Sequence, residues 1–148
     1  MRVLITGGGG FLASHLVSYI QTLPSIEIRS LTRSECDLTR DCGQLAALLQ
    51  SFQPERIFHL AGRTNGSKAD LYRDNLQATS TLLAAVKSLP RTRIVLTSTT
   101  AVYGAGGSAD APLREDQRPA PKGDYAMSKH EGEQLACRSA IDSQVCRL

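Results

Sequence analysis

The sequence predicts one α/β domain, residues 1–148, built on a doubly wound parallel sheet with helices on both faces. Short apolar stretches alternate with helix-length stretches along the chain, as in parallel sheets with helical crossovers. A glycine-rich turn separates the first apolar stretch from the first amphipathic one. The 148 residues suffice for one domain with a sizeable core and are too few for two ordinary ones.

Five strands and four helices are expected in alternation. The strands are predicted at residues 2–6, 26–32, 56–60, 93–98 and 144–148. The helices are predicted at residues 11–21, 44–51, 70–88 and 125–141. Pro24, Pro54 and Pro90 each follow a predicted helix, where proline prevents its continuation. The one long irregular segment, residues 104–124, is rich in Gly, Pro and Ala, which favours a functional or mobile loop.

The turn after the first predicted strand reads VLITGGGGFLASHL, residues 3–16. Gly8, Gly10 and Ala13 fit the pattern G-x-G-x-x-G/A, and Gly7, Gly10 and Ala13 fit the wider G-x-x-G-x-x-A. Glycine permits positive φ and lets backbone N–H groups approach a pyrophosphate, which then rests at the positive end of the following helix. The position between strand and helix favours dinucleotide binding over the alternative, a flexible turn without a ligand.

The tip of the second predicted strand holds Thr32 and Arg33. Folds of this type that prefer NAD usually have an acidic residue there, which binds the adenosine ribose hydroxyls. An arginine suits the 2′-phosphate of NADP, so this feature favours NADP slightly over NAD. The alternative interpretation of Arg33 is a solvated surface arginine.

Tyr125 and Lys129 lie four residues apart in DYAMSKHEGEQL, a stretch with helical periodicity. Residues at this spacing share one face of a helix, so the two side chains can act together. A phenol is a poor base at neutral pH, and lowering its pKa by about three units requires about 4 kcal/mol of preferential stabilisation of the phenolate. A neighbouring ammonium and a cationic nicotinamide could supply that stabilisation. The alternative is a surface pair on a helix.

Hydroxyl groups follow one another at the end of the strand predicted at 93–98, as Ser98, Thr99 and Thr100. Open α/β sheets bind ligands at the carboxyl ends of their strands, so a hydroxyl there could hold a substrate carbonyl or alcohol beside the tyrosine. The alternative, β-propensity, explains one or two threonines but gives no reason for a cluster at the strand's end.

Composition and charge exclude several classes of protein. The net charge is +3, and the 13 arginines and 4 lysines form no basic block, so a nucleic-acid partner is not expected. No apolar run approaches the roughly 18 residues of a membrane span and no signal peptide is recognisable, so a cytoplasmic location without a membrane partner is expected. No metal site is expected, because the cysteines lack ligand spacing and are interpreted as reduced thiols. They are Cys36, Cys42, Cys137 and Cys146.

Together these motifs resemble the extended short-chain dehydrogenase/reductases, in particular the nucleotide-sugar epimerases, dehydratases and 4-ketoreductases. TGGGGFLASHL is similar to that family's TGxxGFxGSHL, FHLAG to HLAA, DNLQAT to N-x-x-GT, STTAVYG to SS-x-x-VYG, and YAMSK to YxxSK. The motifs occur in the family's order. The resemblance implies an NAD(P)-binding Rossmann fold and an NAD(P)-dependent oxidoreductase or epimerase that acts on a nucleotide-activated sugar by hydride transfer.

The resemblance also implies roles for individual residues. Thr99 would polarise the substrate, Tyr125 would be the general acid/base, and Lys129 would lower the tyrosine pKa and hold the nicotinamide ribose. The remaining cofactor-binding residues would be Gly7, Gly10, Phe11 and Leu12 around the pyrophosphate, Asp37 and Leu38 beside the adenine, and Ala61, Gly62 and Asn75 along the path to the nicotinamide. A turn aspartate and a helix asparagine are the alternatives for Asp37 and Asn75.

Some features stand apart from these assignments. His59 ends an apolar strand and is expected as a packed core histidine. Ala13 replaces the third glycine, and the run TRSECDLTRD resembles the ketoreductase branch.

Family members continue with a substrate-binding carboxyl-terminal part that is absent here, so the alternative function is a truncated, catalytically inactive NAD(P)-binding module. An unpaired sheet edge in such a module would favour a homodimer.

Overall fold

The apolar stretches form one five-stranded sheet in the computed structural model, which describes residues 1–40, 43–89, 91–104 and 112–148. The strands are β1 (Arg2–Thr6), β2 (Glu27–Leu31), β3 (Arg56–His59), β4 (Arg93–Ser98) and β5 (Ser143–Arg147). Their order in the sheet is β2-β1-β3-β4-β5, and each neighbouring pair is parallel. The predicted parallel sheet is confirmed, and each strand end lies within about one residue of its predicted position.

Helical segments connect the strands. They are α1 (Phe11–Ile20), α2 (Gly43–Phe52), α3 (Lys68–Leu71), a π-helical turn (Tyr72–Gln77), α4 (Ala78–Val86), a 3₁₀ turn (Thr100–Tyr103) and α5 (Gly123–Arg138). The single helix predicted at 70–88 is therefore three consecutive segments with the π turn in the middle. The helix predicted at 125–141 ends earlier, because Ser139 has left the helical region with ψ 149°.

The reversal of strand order puts the helices on two faces of the sheet. The chain moves outward from β1 to β2 and then back past β1 to β3, and right-handed crossovers in opposite directions lie on opposite faces. On one face, Ala13 of α1 shares an apolar cluster with Val3 and Ile5. On the other face, apolar side chains of α2, α4 and α5 pack with Leu4 and Ile57. The predicted covering of both faces is confirmed.

Some predicted features lie outside the described residues, namely Cys42, Pro90 and residues 105–111 of the long loop. Within the described ranges, no helix is long and apolar enough to cross a membrane. The same ranges contain no group of three or more His, Cys, Asp or Glu side chains that could hold a metal ion. The free thiols of the described part are Cys36, Cys137 and Cys146.

Candidate functional site

A cleft of about 150 Å³ opens at the carboxyl edge of the sheet, where β1 and β3 are neighbours. Open parallel sheets bind ligands at this switch point, because the connections that leave the two strands go to opposite faces. The cleft is lined by seven of the residues predicted to bind the cofactor. These are Gly7, Thr32, Arg33, Asp37, Leu38, Ala61 and Gly62.

Gly7 forms the turn from β1 toward α1. Its φ of +76° lies in the left-handed region, and a Cβ on it would come within 2.7 Å of the Ala61 backbone nitrogen. The N–H of Gly8 donates to the Leu31 carbonyl at 2.8 Å, and the N–H of Gly10 donates to the Gly7 carbonyl at 2.9 Å. The turn is thus fixed against both β2 and β3, and only glycine fits at its first position.

The start of α1 leaves open space above its first backbone amides. Gly10 is the N-cap and makes no side-chain hydrogen bond to them, and the first turn carries no acidic residue. Nothing lies within 4 Å of where a Cβ of Gly9 would stand. Phe11 and Leu12 are both exposed. Gly10, Phe11 and Leu12, which are predicted to bind a pyrophosphate, therefore lie exposed at the positive end of a helix.

Glu35 binds the residue that follows β2, Thr32, and was not among the residues predicted for the site. Its carboxylate accepts hydrogen bonds from the Thr32 hydroxyl at 2.7 Å and from the Thr32 N–H at 2.8 Å. These two hydrogen bonds lower the pKa of Glu35. Thr32 and Glu35 have the T-x-x-E spacing of a capping box, from which this contact could have been predicted.

Arg33 forms part of the cleft wall and reaches from the tip of β2 to the π turn. Its Nη1 and Nη2 donate to Oδ2 and Oδ1 of Asp74 at 3.2 and 3.0 Å. Asp74 is buried and also accepts from Nε of Arg63 at 2.6 Å and Nε of Arg73 at 2.9 Å. Burial alone would raise the pKa of Asp74, but the hydrogen bonds from the arginines outweigh it and hold that pKa well below its usual range.

Asp37 and Leu38 complete this wall of the cleft. Oδ1 of Asp37 accepts from the N–H of Thr39 at 3.0 Å and from its hydroxyl at 2.8 Å, which is the arrangement of a turn aspartate. Oδ2 of Asp37 lies 3.5 Å from Nε of Arg33. Leu38 packs with the apolar core. The predicted place of both residues beside an adenine stays a prediction.

Asn75 joins the loop after β3 to α5. Its Oδ1 accepts from the Arg63 N–H at 2.8 Å, and its Nδ2 donates to the Arg63 carbonyl and to Oγ of Ser128, each at 3.0 Å. A Cβ on Gly62 would come within 2.9 Å of Oδ1 of Asn75 and 3.7 Å of Nζ of Lys129. Asn75 therefore holds the loop against the helix that carries Lys129.

His59 is enclosed in the interior, as expected for a core histidine, with 1% relative exposure. Its Nδ1 lies 2.7 Å from Oγ1 of Thr6, and its Nε2 lies 3.1 Å from Oγ1 of Thr79. Burial and the charge of Lys129 lower the pKa of His59 to about 3. The imidazole is therefore neutral at neutral pH and links β1, β3 and α4.

Thr99 lies at the point where β4 passes into the 3₁₀ turn. Its Oγ1 accepts from the Ala101 N–H at 3.2 Å and so caps that turn. Ser98 and Thr99 are buried, whereas Thr100 is exposed. The predicted hydroxyl cluster thus lies at the carboxyl end of a parallel strand, but its members face different surroundings.

Tyr125 and Lys129 lie one turn apart on α5, as the sequence predicts. Nζ of Lys129 donates to the Thr97 carbonyl of β4 at 2.7 Å. Burial lowers the pKa of Lys129 to about 8, against an opposing effect of Glu133, so the amine is mostly charged at neutral pH. In the part of the chain that the structure describes, the Tyr125 phenol has no hydrogen-bond partner, so no internal bond competes for its proton.

The parallel sheet with a glycine turn at its switch point defines a Rossmann-like NAD(P)-binding fold. The model of the NAD dependent epimerase/dehydratase family matches residues 3–146. The chain belongs to this family.

Two curated relatives illustrate what the chain is similar to. A GDP-6-deoxy-D-talose 4-dehydrogenase from Aggregatibacter actinomycetemcomitans is 31% identical over an alignment of 136 residues, and the alignment covers 88% of this chain and 45% of that protein. A UDP-glucose 4-epimerase from Azospirillum brasilense is 30% identical over an alignment of 152 residues, and the alignment covers 90% of this chain and 43% of that protein. The chain thus spans about half the length of the curated relatives it matches.

Solved structures share the fold. The Thermus thermophilus UDP-glucose 4-epimerase in complex with NAD gives a TM-score of 0.88 at 23% identity, covering 99% of this chain and 54% of that one. The Bacillus anthracis dTDP-4-dehydrorhamnose reductase in complex with NADP gives 0.85 at 24% identity, covering 99% and 52%. Since these neighbours hold different dinucleotides, the slight preference for NADP stays a prediction.

Proposed function

We propose that the chain binds a nicotinamide dinucleotide in the cleft and forms the cofactor-binding part of an NAD(P)-dependent enzyme that acts on a nucleotide-activated sugar. The observation that carries this proposal is the turn at Gly7, where a positive φ and a backbone approach leave room for no side chain. Membership of the family and relatives named for GDP- and UDP-sugars support the class of substrate.

Three groups of described residues support the binding of a dinucleotide. The uncapped amides at the start of α1 suit the pyrophosphate, because they supply N–H donors and a positive dipole. The wall around Asp37 and Leu38 suits the adenosine, and the region of Gly62 and Lys129 suits the nicotinamide ribose. A bound nicotinamide would supply hydride chemistry, which no side chain possesses.

Tyr125 is proposed as the general acid/base, with its proton moving between Oη and an oxygen of the sugar. Lys129 supports this role because it is mostly charged at neutral pH and lies one helical turn away on the same helix. The Thr97 carbonyl holds the ammonium in place. Thr99, at the end of β4, is proposed to hold the reacting oxygen of the sugar through its hydroxyl.

Calorimetric titration with NADH and NADPH tests cofactor binding. We expect saturable binding by the unaltered chain. Gly10→Val should weaken binding at least about tenfold, because its side chain would stand at the N-cap of α1 beside the amides proposed to hold the pyrophosphate. A Cβ there would lie 3.2 Å from the Gly7 carbonyl oxygen, so circular dichroism should first show that the variant folds. Ser18→Ala, at an exposed position on the same helix, should bind like the unaltered chain. Absence of binding by the unaltered chain would refute the proposal.

Tritium transfer from labelled NADPH to a 4-keto nucleotide sugar tests the chemistry. Tyr125→Phe should lower the rate by about 100-fold or more while retaining most of the cofactor affinity, because it removes the phenolic hydroxyl that would carry the proton and keeps the ring. Equal transfer by the variant would exclude Tyr125 from the mechanism. Binding without any transfer would favour the second candidate, a non-catalytic binding module.

A further inference from the structure

The guanidinium of Arg33 is engaged by two carboxylates of the cleft wall. Nη1 and Nη2 form a fork on Asp74 at 3.2 and 3.0 Å, and Nε lies 3.5 Å from Asp37. The same fork is the one a guanidinium uses to bind a phosphate. An anionic ligand can therefore use this fork only if Asp74 releases it.

The two partners of this ion pair are held very differently. The side chain of Arg33 is 52% exposed, whereas that of Asp74 is 6% exposed. Asp74 keeps Arg63 at 2.6 Å and Arg73 at 2.9 Å if Arg33 leaves. Arg33 is thus the movable partner and Asp74 the fixed one, and the charge of Asp74 remains compensated in either position.

We propose that Asp74 is a specificity-determining residue, which limits the preference for NADP by competing with the ribose 2′-phosphate for Arg33. The inference rests on the proposed binding of a nicotinamide dinucleotide in the cleft. Asp74 also lines the cleft, but Arg63 and Arg73 neutralise its charge, so its influence on the 2′-phosphate is assigned to the ion pair with Arg33. The chain then accepts NAD and NADP with more similar affinity than an unpaired arginine at the tip of β2 would allow.

The test measures dissociation constants for NADH and NADPH with four proteins: the unaltered chain, Asp74→Asn, Arg33→Met and the double variant. Asp74→Asn should shift the affinity ratio toward NADPH by about tenfold, because it frees the fork for the phosphate. Arg33→Met should shift the ratio toward NADH. The double variant should match Arg33→Met, because Asp74 has no other route to the 2′-phosphate.

A matched control separates this effect from a general disturbance of the cluster. Asp70→Asn removes one negative charge near the same cluster but contacts Arg73 and not Arg33, and Asp70 does not line the cleft, so this variant should leave the ratio unchanged. If Asp74→Asn does not fold, as judged by thermal unfolding, Asp74→Asn combined with Arg73→Gln removes one of the two stranded arginines and carries the same expectation.

Two outcomes would overturn the inference: an unchanged ratio in the folded Asp74 variant, or a shift that persists in the Arg33→Met background. Failure of the unaltered chain to bind either dinucleotide would instead overturn the proposed function. The two failures are therefore distinguishable within one set of titrations.

Discussion

Lys129 shows how a single residue of the site is shaped by its surroundings. It lies between α5 and β4, where its ammonium donates to the Thr97 carbonyl at 2.7 Å. Burial of the amine lowers its pKa from 10.5 to about 8, although Glu133 one turn further along opposes that shift. A cation that is costly to bury is retained here, which makes Lys129 a candidate functional residue.

The lowered pKa predicts a dependence of stability on pH. Below pH 8 both folded and unfolded chains hold the proton, and the folded state carries the full cost of burying the charge. Between pH 8 and 10.5 the folded state binds fewer protons, so the free energy of unfolding should rise with pH, by up to about 3 kcal/mol from this group. Urea unfolding of the chain and of Lys129→Met at pH 7 and pH 10.5 measures it. A difference between the two proteins that is the same at both pH values would contradict the prediction.

The π turn is the element that connects the two halves of the site. It places two consecutive buried side chains in different networks, Asp74 with the tip of β2 and Asn75 with α5. π turns are rare and frequently lie at functional sites. Here the turn connects the wall of the cleft to the helix that carries Tyr125 and Lys129.

Asn75→Ala should destabilise the chain by about 2–4 kcal/mol, because it leaves buried partners in the loop after β3 and in α5 without their hydrogen bonds. Gln77→Ala is the matched control in the same turn. Its amide donates to the Thr39 carbonyl at an exposed position, so its loss should cost at most about 1 kcal/mol. Denaturant unfolding measures both, and equal costs would show that Asn75 does not hold the elements together.

Elements with a strong local signal could be predicted from the sequence. The strands follow from apolar runs, the turn at Gly7 from consecutive glycines, and the shared face of Tyr125 and Lys129 from helical spacing. The Arg33–Asp74 pair could not be predicted, because its residues are 41 positions apart and an aspartate in the polar stretch DLYRDNLQ has no local sign of burial. The π turn could not be predicted either, because its periodicity differs little from that of an α-helix.

At the scale of the whole molecule, the described residues bury two carboxylates, at separate places in the fold. Asp74 lines the cleft at the carboxyl edge of the sheet, and Glu133 lies where α5 meets β5. Glu133 accepts from Nε and Nη2 of Arg147, each at 2.9 Å. Burial alone would raise the pKa of Glu133, but the hydrogen bonds from Arg147 and its other partners outweigh it and lower that pKa. Its stabilising contribution is therefore present above the unfolded pKa and is lost as the pH falls through the folded one.

Arg147→Met should destabilise the chain by about 3–5 kcal/mol at neutral pH, because it leaves Glu133 buried without its bidentate partner. Burial would then raise the pKa of Glu133. Because protonation at pH 4 would remove the unpaired buried charge, the substitution should lower the free energy of unfolding less at pH 4 than at pH 7. Arg93→Met is the control, since its exposed pair with Asp142 joins the start of β4 to the residue before β5 and should be worth at most about 1 kcal/mol. Urea unfolding of both variants at pH 7 and pH 4 measures these costs. A cost of Arg147→Met that equals the control, or that is independent of pH, would mean that the last strand is held by its backbone ladder and not by the buried ion pair.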